Sequence, residues 1–362
     1  MRLLLVTARS AVDGADTGRT RTLELARALE DYGVECSPVE ASTVDDVVAM
    51  AQGWKAGMVF CVPSHLPNAE GGRRCVHAVL DAERIPYVGS GADVIEMALS
   101  KPAMKARWRG LGITTPDWYV FRKGGGAVSV GGSATTDDGP EFDDIAFGDG
   151  RAWMVKPTAE GNSRGITRDS VVRSTDALRA RVSSLLESFD AVMVERFLGT
   201  ASPSREFTAA MVGSGARRLV MPLAIGFTDG RRLRVVTSGD KDGHRTALSP
   251  IEPSTLADHV RDFTRQALDA AGVRDYARVD IMEEDGTLYA IEVNGQPMVP
   301  DRWFEACARP FGLGGSGYLA AIVLAAALRY DAAGATPLLV DARLRAAVPP
   351  AVLAELDPGC SS

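Results

Sequence analysis

Arg278-Val279-Asp280-Ile281 and Leu288-Tyr289-Ala290-Ile291-Glu292-Val293-Asn294 decide the reading of this chain. Between them lies Glu283-Glu284-Asp285-Gly286, a turn signal flanked by β-rich apolar residues, so the segment reads as a β-hairpin. Side chains alternate across a strand, so Arg278 shares a face with Asp280, and Glu292 shares one with Asn294. Pairing the strands sets the two couples opposite each other. Three hard oxygen ligands (Asp280, Glu292, Asn294) and one guanidinium then converge on a small volume. Magnesium takes such oxygens and keeps nucleotide phosphates as its remaining ligands. Arg278 is placed to steady an oxyanion on a transferring phosphoryl or acyl group. The alternative is a solvated hairpin with ordinary surface charge. The apolar flanks Val279, Ile281, Ile291 and Val293 favour a lined cleft.

The chain has 362 residues, enough for two or three domains with sizeable cores. Hydrophobic residues make up 46% and mean hydropathy is -0.01, the balance of a soluble globular protein. A net charge of -7 lacks the basic footprint of a nucleic-acid binder. The apolar run Met1 to Val6 is too short for a signal peptide and reads as a first strand. The longest helical apolar stretch, about Leu319 to Leu328, is too short to span a bilayer, so no membrane role is expected. Cys36, Cys61, Cys75, Cys307 and Cys360 show neither metal-ligand nor redox spacing, and a reducing cytoplasm is the expected compartment. Six lysines stand against thirty-four arginines. Arginine is the default cation here, which directs attention to Lys101, Lys105, Lys156 and Lys241.

The first ninety or so residues alternate strand and helix: Leu3 to Thr7, Thr22 to Asp31, Gly57 to Val62, Val76 to Glu83, then Ile85 to Gly89. This βαβ pattern implies α/β architecture with a parallel sheet. A long helix is expected from Asp93 to Trp108. Residues 122 to 150 are glycine-rich and then acidic, an inserted surface loop. Trp153 to Pro157 and Val192 to Glu195 read as buried strands, Glu206 to Val212 and Leu219 to Ile225 as an antiparallel pair. Helices are expected at Ser254 to Ala271 and Tyr318 to Arg329, and the proline-bearing tail from Ala332 is expected to be peripheral.

Gly161-Asn162-Ser163-Arg164-Gly165 matches the nucleophile elbow G-x-S-x-G, but that motif needs a following helix, and Ile166 to Arg173 reads as extended. These small residues better suit a loop whose N–H groups cover phosphates. Gly312 to Gly317 matches G-x-G-x-x-G without the strand that a dinucleotide site requires. Gly-Lys occurs nowhere, so there is no P-loop. Lys156 ends a strand just before the glycine loop, where an ammonium can meet phosphates as a point charge; a lysine snorkelling from a sheet edge is the alternative. Glu195 leads into Arg196-Phe197-Leu198, a strand edge that can offer a carbonyl and an N–H to an adenine. Glu206 is a candidate acceptor for ribose hydroxyls. Lys241 and His244 lie in a glycine-rich charged loop, either functional or plain surface. His65 follows a buried strand at the carboxyl edge of a parallel sheet, where such folds bind ligands.

Together these residues resemble the ATP-grasp superfamily and, within it, the D-alanine–D-alanine ligases, over most of residues 55 to 330. Ile85 to Gly91 with Ala98-Leu99-Ser100-Lys101 resembles the junction of the family's first and central domains, and Lys101 falls on its first ATP-contacting lysine. Val155-Lys156-Pro157 and Glu160 to Gly165 resemble its second lysine and phosphate loop, which includes Gly161, Asn162 and Ser163. Glu195 to Leu198 resembles the adenine hinge, with Arg196 in it, and Glu206-Phe207-Thr208 the ribose segment. Arg278 to Asp280 with Glu292 to Asn294 resembles the phosphate-binding arginine and magnesium ligands. Lys241 falls in the loop that closes over the triphosphate.

The resemblance implies an ATP-grasp fold. An N-terminal α/β domain (1–95) precedes central (96–197) and C-terminal (198–330) ATP-grasp parts and a tail (331–362). It implies ATP and Mg2+ as cofactors, two ions with Mn2+ able to substitute, and raises a homodimer as an expectation. It implies that a carboxylate attacks the γ-phosphate of ATP, giving an acyl phosphate that an amine then attacks. The partners are a small-molecule carboxylate and amine. Departures from the pattern fall in the amino-acid pockets. Ala8-Arg9-Ser10-Ala11-Val12-Asp13-Gly14 replaces a glycine-serine-glutamate signature. Asn162 replaces a serine, and the loop near Lys241 lacks a partner tyrosine. Gly295 to Arg302 replaces a segment whose serine grips the acceptor carboxylate. The expectation is therefore a specialised ligase for a peptide-like metabolite, with Arg302 or Arg9 gripping a carboxylate. The alternatives are a D-alanine–D-alanine ligase of cell-wall synthesis, a phosphotransferase, and a non-catalytic nucleotide-binding protein.

Overall fold

The computed structural model describes residues 1–9, 17–124, 127–128, 142–148, 150–160, 163–200, 202–228, 246–334 and 340–357. Strand β1 (Arg2–Ala8) leads through α1 (Thr17–Glu30) to β2 (Glu35–Ala41), and α2 (Val44–Gly53) leads on to β3 (Met58–Cys61). The three strands form a parallel sheet in the order β2-β1-β3. Leu3 and Leu5 face one core while Leu4 and Val6 face another, which is why β1 reads as an unbroken apolar run. β2 and α2 escape the periodicity reading. β2 is an edge strand carrying two glutamates and Pro38, as edges tolerate. The start of α2 is a capping box, Thr43 with Asp46.

A small hairpin, β4 (His65–Pro67) with β5 (Arg73–Cys75), precedes α3 (Val76–Ala82). The strand expected at 85–89 reduces to one parallel bridge, Val59 to Tyr87, where Pro86 lacks the N–H for a longer ladder. The long helix expected from Asp93 is two helices, α4 (Ala92–Leu99) and α5 (Lys101–Gly110), with Ser100 extended between them. Pro102 has no N–H for the Ala98 carbonyl and its ring crowds that oxygen, so the helix must restart.

The second sheet comprises β6 (Trp118–Arg122), β7 (Ala127–Val128), β8 (Ala152–Pro157), β9 (Val171–Val172) and, after α6 (Thr175–Ser188), β10 (Ala191–Phe197). Its order is β7-β6-β10-β8-β9, all antiparallel. α6 covers it with Leu178, Val182 and Leu185. The third sheet comprises β11 (Ser204–Ser214), β12 (Arg217–Phe227), β13 (Thr246–Ser249) and, after α7 (Ser254–Ala271), β14 (Arg274–Glu284) and β15 (Thr287–Asn294). Its order is β13-β12-β11-β14-β15, also antiparallel.

The third sheet is covered on both faces. Ala209 and Met211 pack toward α5 and α7, whereas Ala210 and Val212 pack toward α8 (Arg302–Ala308) and α9 (Gly317–Ala332). α9 is apolar around its circumference and is buried from Gly317 to Leu328, wedged between α1 and this sheet. The tail is not peripheral, contrary to the sequence expectation. It forms α10 (Ala342–Ala346) and α11 (Pro350–Leu356), and Leu344, Val348, Val352 and Leu356 join the α9 core. Pro350 opens α11 where its missing N–H costs nothing. Among the described residues no helix is long and apolar enough to cross a membrane.

Candidate active site

The deciding hairpin is β14–β15. Arg278 pairs with Asn294 and Asp280 with Glu292, the opposition expected for the hairpin. A bulge after Asp280 makes Ile281 pair with Ala290, so Ile291 is the extra residue. Leu288, Ala290 and Val293 face the α7 core, while Ile291, Glu292 and Asn294 line the cleft. Strict alternation would have put Glu292 on the face of Ala290, inside the core. The bulge changes the face, and it moves Ile291 from the expected apolar flank to the cleft wall.

The cleft is a cavity of about 810 Å³ between the second and third sheets. Thr208 Oγ1 donates to Asp280 Oδ1 at 2.9 Å. Arg278 Nε lies 3.6 Å from Asp280 Oδ1, and its Nη1 lies 3.7 Å from Asp301 Oδ1. The Arg278 guanidinium sits over the Trp303 ring. Because Pro102 restarts the helix, Lys101 enters the cleft at the head of α5. Its Nζ is 3.2 Å from Glu292 Oε1 and donates to the Glu160 carbonyl.

On the opposite wall, Lys156 Nζ donates to Glu195 Oε1 at 2.8 Å, and Lys105 Nζ lies 2.6 Å from Glu195 Oε2. All three groups are buried. Burial pulls Lys105 down to about 8, with Glu195 opposing it. Burial alone would raise Glu195, but the two ammonium groups outweigh it and hold the carboxyl below its usual range. Two cations share one carboxylate, which leaves a positive wall facing the cavity through Lys156. Asp280, Glu292 and Asn294 supply carboxylate and amide oxygens, a hard donor set that fits Mg2+. The Lys101 and Lys156 ammonium groups fit the phosphates such an ion accompanies.

Lys101, Lys156, Ser163, Glu195, Arg196 and Leu198 all line this cavity. So do Glu206, Arg278, Asp280, Glu292, Asn294 and Arg302. Ser163 has a left-handed backbone (φ 58°), and Gly165 two residues on (φ +77°) has no room for a Cβ against Pro157. Two side chains of the expected hinge are occupied otherwise. The Glu195 carboxylate belongs to the lysine clamp, and Arg196 pairs with Glu284 at 3.0 Å while its N–H donates to the Asp117 carbonyl at 2.8 Å. That amide is therefore taken. His65 is not brought into the cavity; its Nε2 bonds Glu96 Oε1 at 2.6 Å. Arg9 is exposed at the end of β1 and does not line the cavity. Gly161, Asn162, Lys241 and His244 lie outside the described residues.

The sequence reading missed Arg21, Gln296 and Asp301 as cleft residues. Gln296 Nε2 donates to the Cys61 carbonyl at 2.7 Å, tying the loop after β15 to the end of β3. Asp301 left a legible trace: its Oδ1 accepts from Trp303 and Phe304 N–H, the N-cap of α8. Lys105 left only the scarcity of lysine.

Two antiparallel sheets gripping a cationic cleft with a carboxylate-rich hairpin define the ATP-grasp class of ligases. A family model described as D-ala D-ala ligase C-terminus matches residues 108–302, more than half of the chain. The D-alanine–D-alanine ligase of Nitratidesulfovibrio vulgaris (strain DP4) is 30% identical over 268 residues, covering 71% of this chain and 79% of that one. That of Hydrogenovibrio crunogenus is 28% identical over 280 residues, covering 77% and 79%. The crystal structure of the D-alanine–D-alanine ligase from Bacillus anthracis complexed with ATP superimposes with a TM-score of 0.67 at 21% identity, over 92% of this chain and 99% of that one. The chain belongs to the D-alanine–D-alanine ligase family and is an ATP-dependent ligase that forms C–N bonds. These relatives give no support to the expectation of specialised metabolism.

Proposed function

We propose that this protein joins the carboxylate of one amino acid to the amine of a second, with D-alanine–D-alanine ligation the reading its relatives favour. The observation that carries the reading is the register-paired set Arg278/Asn294 and Asp280/Glu292, facing Lys101 and Lys156 in one cavity. Met154, Phe197 and Leu198 form an apolar wall suited to a nucleobase, and Glu206 is placed to accept from ribose hydroxyls. Lys101 and Lys156 meet the phosphates. Asp280, Glu292 and Asn294 would hold magnesium, two ions by family resemblance, which supplies charge neutralisation on the phosphates when bound. A substrate carboxylate oxygen attacks the γ-phosphorus and ADP leaves. The amine nitrogen of the second substrate then attacks the acyl carbon, and phosphate leaves as the amide forms. Arg278 stabilises the negative charge that develops on the phosphoryl and tetrahedral oxygens. Residues 1–95, 96–197 and 198–330 are read as the three parts that enclose the reaction.

The test incubates the purified protein with ATP, Mg2+ and D-alanine and follows phosphorus NMR and product mass. We expect ADP, phosphate and a mass equal to two alanines minus water. AMP with pyrophosphate would overturn the acyl-phosphate route. ADP release that needs another amino acid would move the substrate away from D-alanine while leaving the ligase intact. Glu292→Gln is expected to weaken metal-dependent ATP binding about tenfold or more, since losing even a supporting contact of a metal ligand costs that much.

A further inference from the structure

Arg21 on α1 takes no part in the steps above, yet it lines the same cavity. Its Nη1 donates to the Pro300 carbonyl at 2.7 Å. Asp301, the next residue, faces Arg278 Nη1 at 3.7 Å. Two guanidinium groups thus converge on consecutive residues of one loop, and Arg302 lines the same wall. The loop's own carboxylate, that of Asp301, is turned to Arg278. Its Oδ1 already accepts the Trp303 and Phe304 N–H groups at 3.0 and 2.8 Å, so its charge is shared with the head of α8. Asp280 and Glu292 serve the metal in the reading above. Among the described residues Arg21 has that one hydrogen bond and no ion pair.

A guanidinium offers five donors in a planar fork that matches a carboxylate two-pronged. One carbonyl uses one donor. A methyl side chain on the substrate would strip water from Arg21 and return no partner, an unfavourable exchange. A carboxylate on the substrate side chain returns two. We infer that Arg21 is a specificity-determining residue that binds a substrate side-chain carboxylate, so that one of the two amino-acid positions takes a dicarboxylic amino acid in preference to alanine. The inference rests on the amide-forming reading above. One carboxylate is activated beside Arg278 and loses an oxygen to phosphate; the other keeps both oxygens and is only held.

The experiment measures ADP release by the full chain with ATP and Mg2+ against D-alanine, D-aspartate and D-glutamate, singly and in pairs, with the L enantiomers in parallel. A dicarboxylic amino acid is expected to give a higher kcat/KM than alanine in one of the two positions. Arg21→Gln is expected to lower that acidic-to-neutral ratio by about 10- to 100-fold, mainly through KM, as losing a charged hydrogen bond does. Arg21→Lys should keep part of the ratio. Turnover of D-alanine with no preference for acids and no dependence of the ratio on Arg21 overturns the inference and leaves the proposed function standing. Equal losses on acidic and neutral substrates with a lowered Tm also overturn it, showing that Arg21 merely fastens α1 to the Pro300 loop. Absence of any amino-acid-dependent ADP defeats the proposed function, and the inference falls with it.

Discussion

Single residues in this molecule show how burial sets charge. Glu195 stays ionised in the protein interior because two ammonium groups flank it, and Lys105 is drawn down to about 8 by the same burial. His77 has no such help. Its Nδ1–H donates to the Ser90 carbonyl at 2.8 Å, its ring stacks on Tyr87, and it is fully buried. Burial pulls it down to about 4, with the Ser90 bond opposing. The unfolded chain, with an ordinary value near 6.5, therefore binds more protons between about pH 4 and 6.5. Stability from neutral His77 is complete above that window and is lost as pH falls through it, by about 3 kcal/mol in all. We expect the destabilisation caused by His77→Gln, measured by urea unfolding, to shrink by about that amount between pH 7 and pH 4. A pH-independent difference between the two proteins would refute the assignment.

At the scale of elements, local irregularities place the chemistry. Pro102 breaks one expected helix into two, and the break delivers Lys101 to Glu292. The Ile291 bulge lets a strand whose early residues face the core turn Glu292 and Asn294 toward the cleft. Deleting Ile291 would restore plain alternation, with Ala290 and Val293 still inward and Glu292 and Asn294 still in the cleft. That variant should fold with a Tm within about 3 °C of the parent, a shift of about 1 to 2 kcal/mol for a chain of this length. Bulges add twist and re-aim side chains, so its metal-dependent ATP affinity should fall. Calorimetry with and without Mg2+ checks this; unchanged affinity would mean that the bulge only absorbs an extra residue.

The whole molecule is tied together by groups far apart in sequence. Asp275 is fully buried and accepts from Gly89 N–H at 2.8 Å, from Ser214 Oγ at 3.2 Å and from Arg329 Nε and Nη2 at 2.7 Å each. Arg329 also reaches the Tyr87 carbonyl at 2.9 Å. The N-terminal part, the third sheet and α9 therefore meet at one carboxylate. Asp275→Asn should cost about 3 to 5 kcal/mol, because the largely buried Arg329 loses its counter-charge. Urea unfolding measures this, and a loss below about 1 kcal/mol would show that water compensates the arginine.

The sequence by itself determined what is local. Period-two alternation paired Arg278 with Asp280 and Glu292 with Asn294, and the apolar runs located β1, β3, β8, β10 and α7. Strand ends carrying Lys156 and Glu195 were visible because a charged residue closing a buried run is conspicuous. Tertiary structure decided the partnerships. Lys105 meets Glu195 ninety residues on, and Arg21 meets Pro300 across 279. It also decided that the tail packs into the α9 core, where Leu344, Val348, Val352 and Leu356 are buried. No periodicity reports such pairings, because the free energy of a buried charge or an apolar contact depends on what folding brings beside it, and that neighbour is not encoded at any fixed spacing.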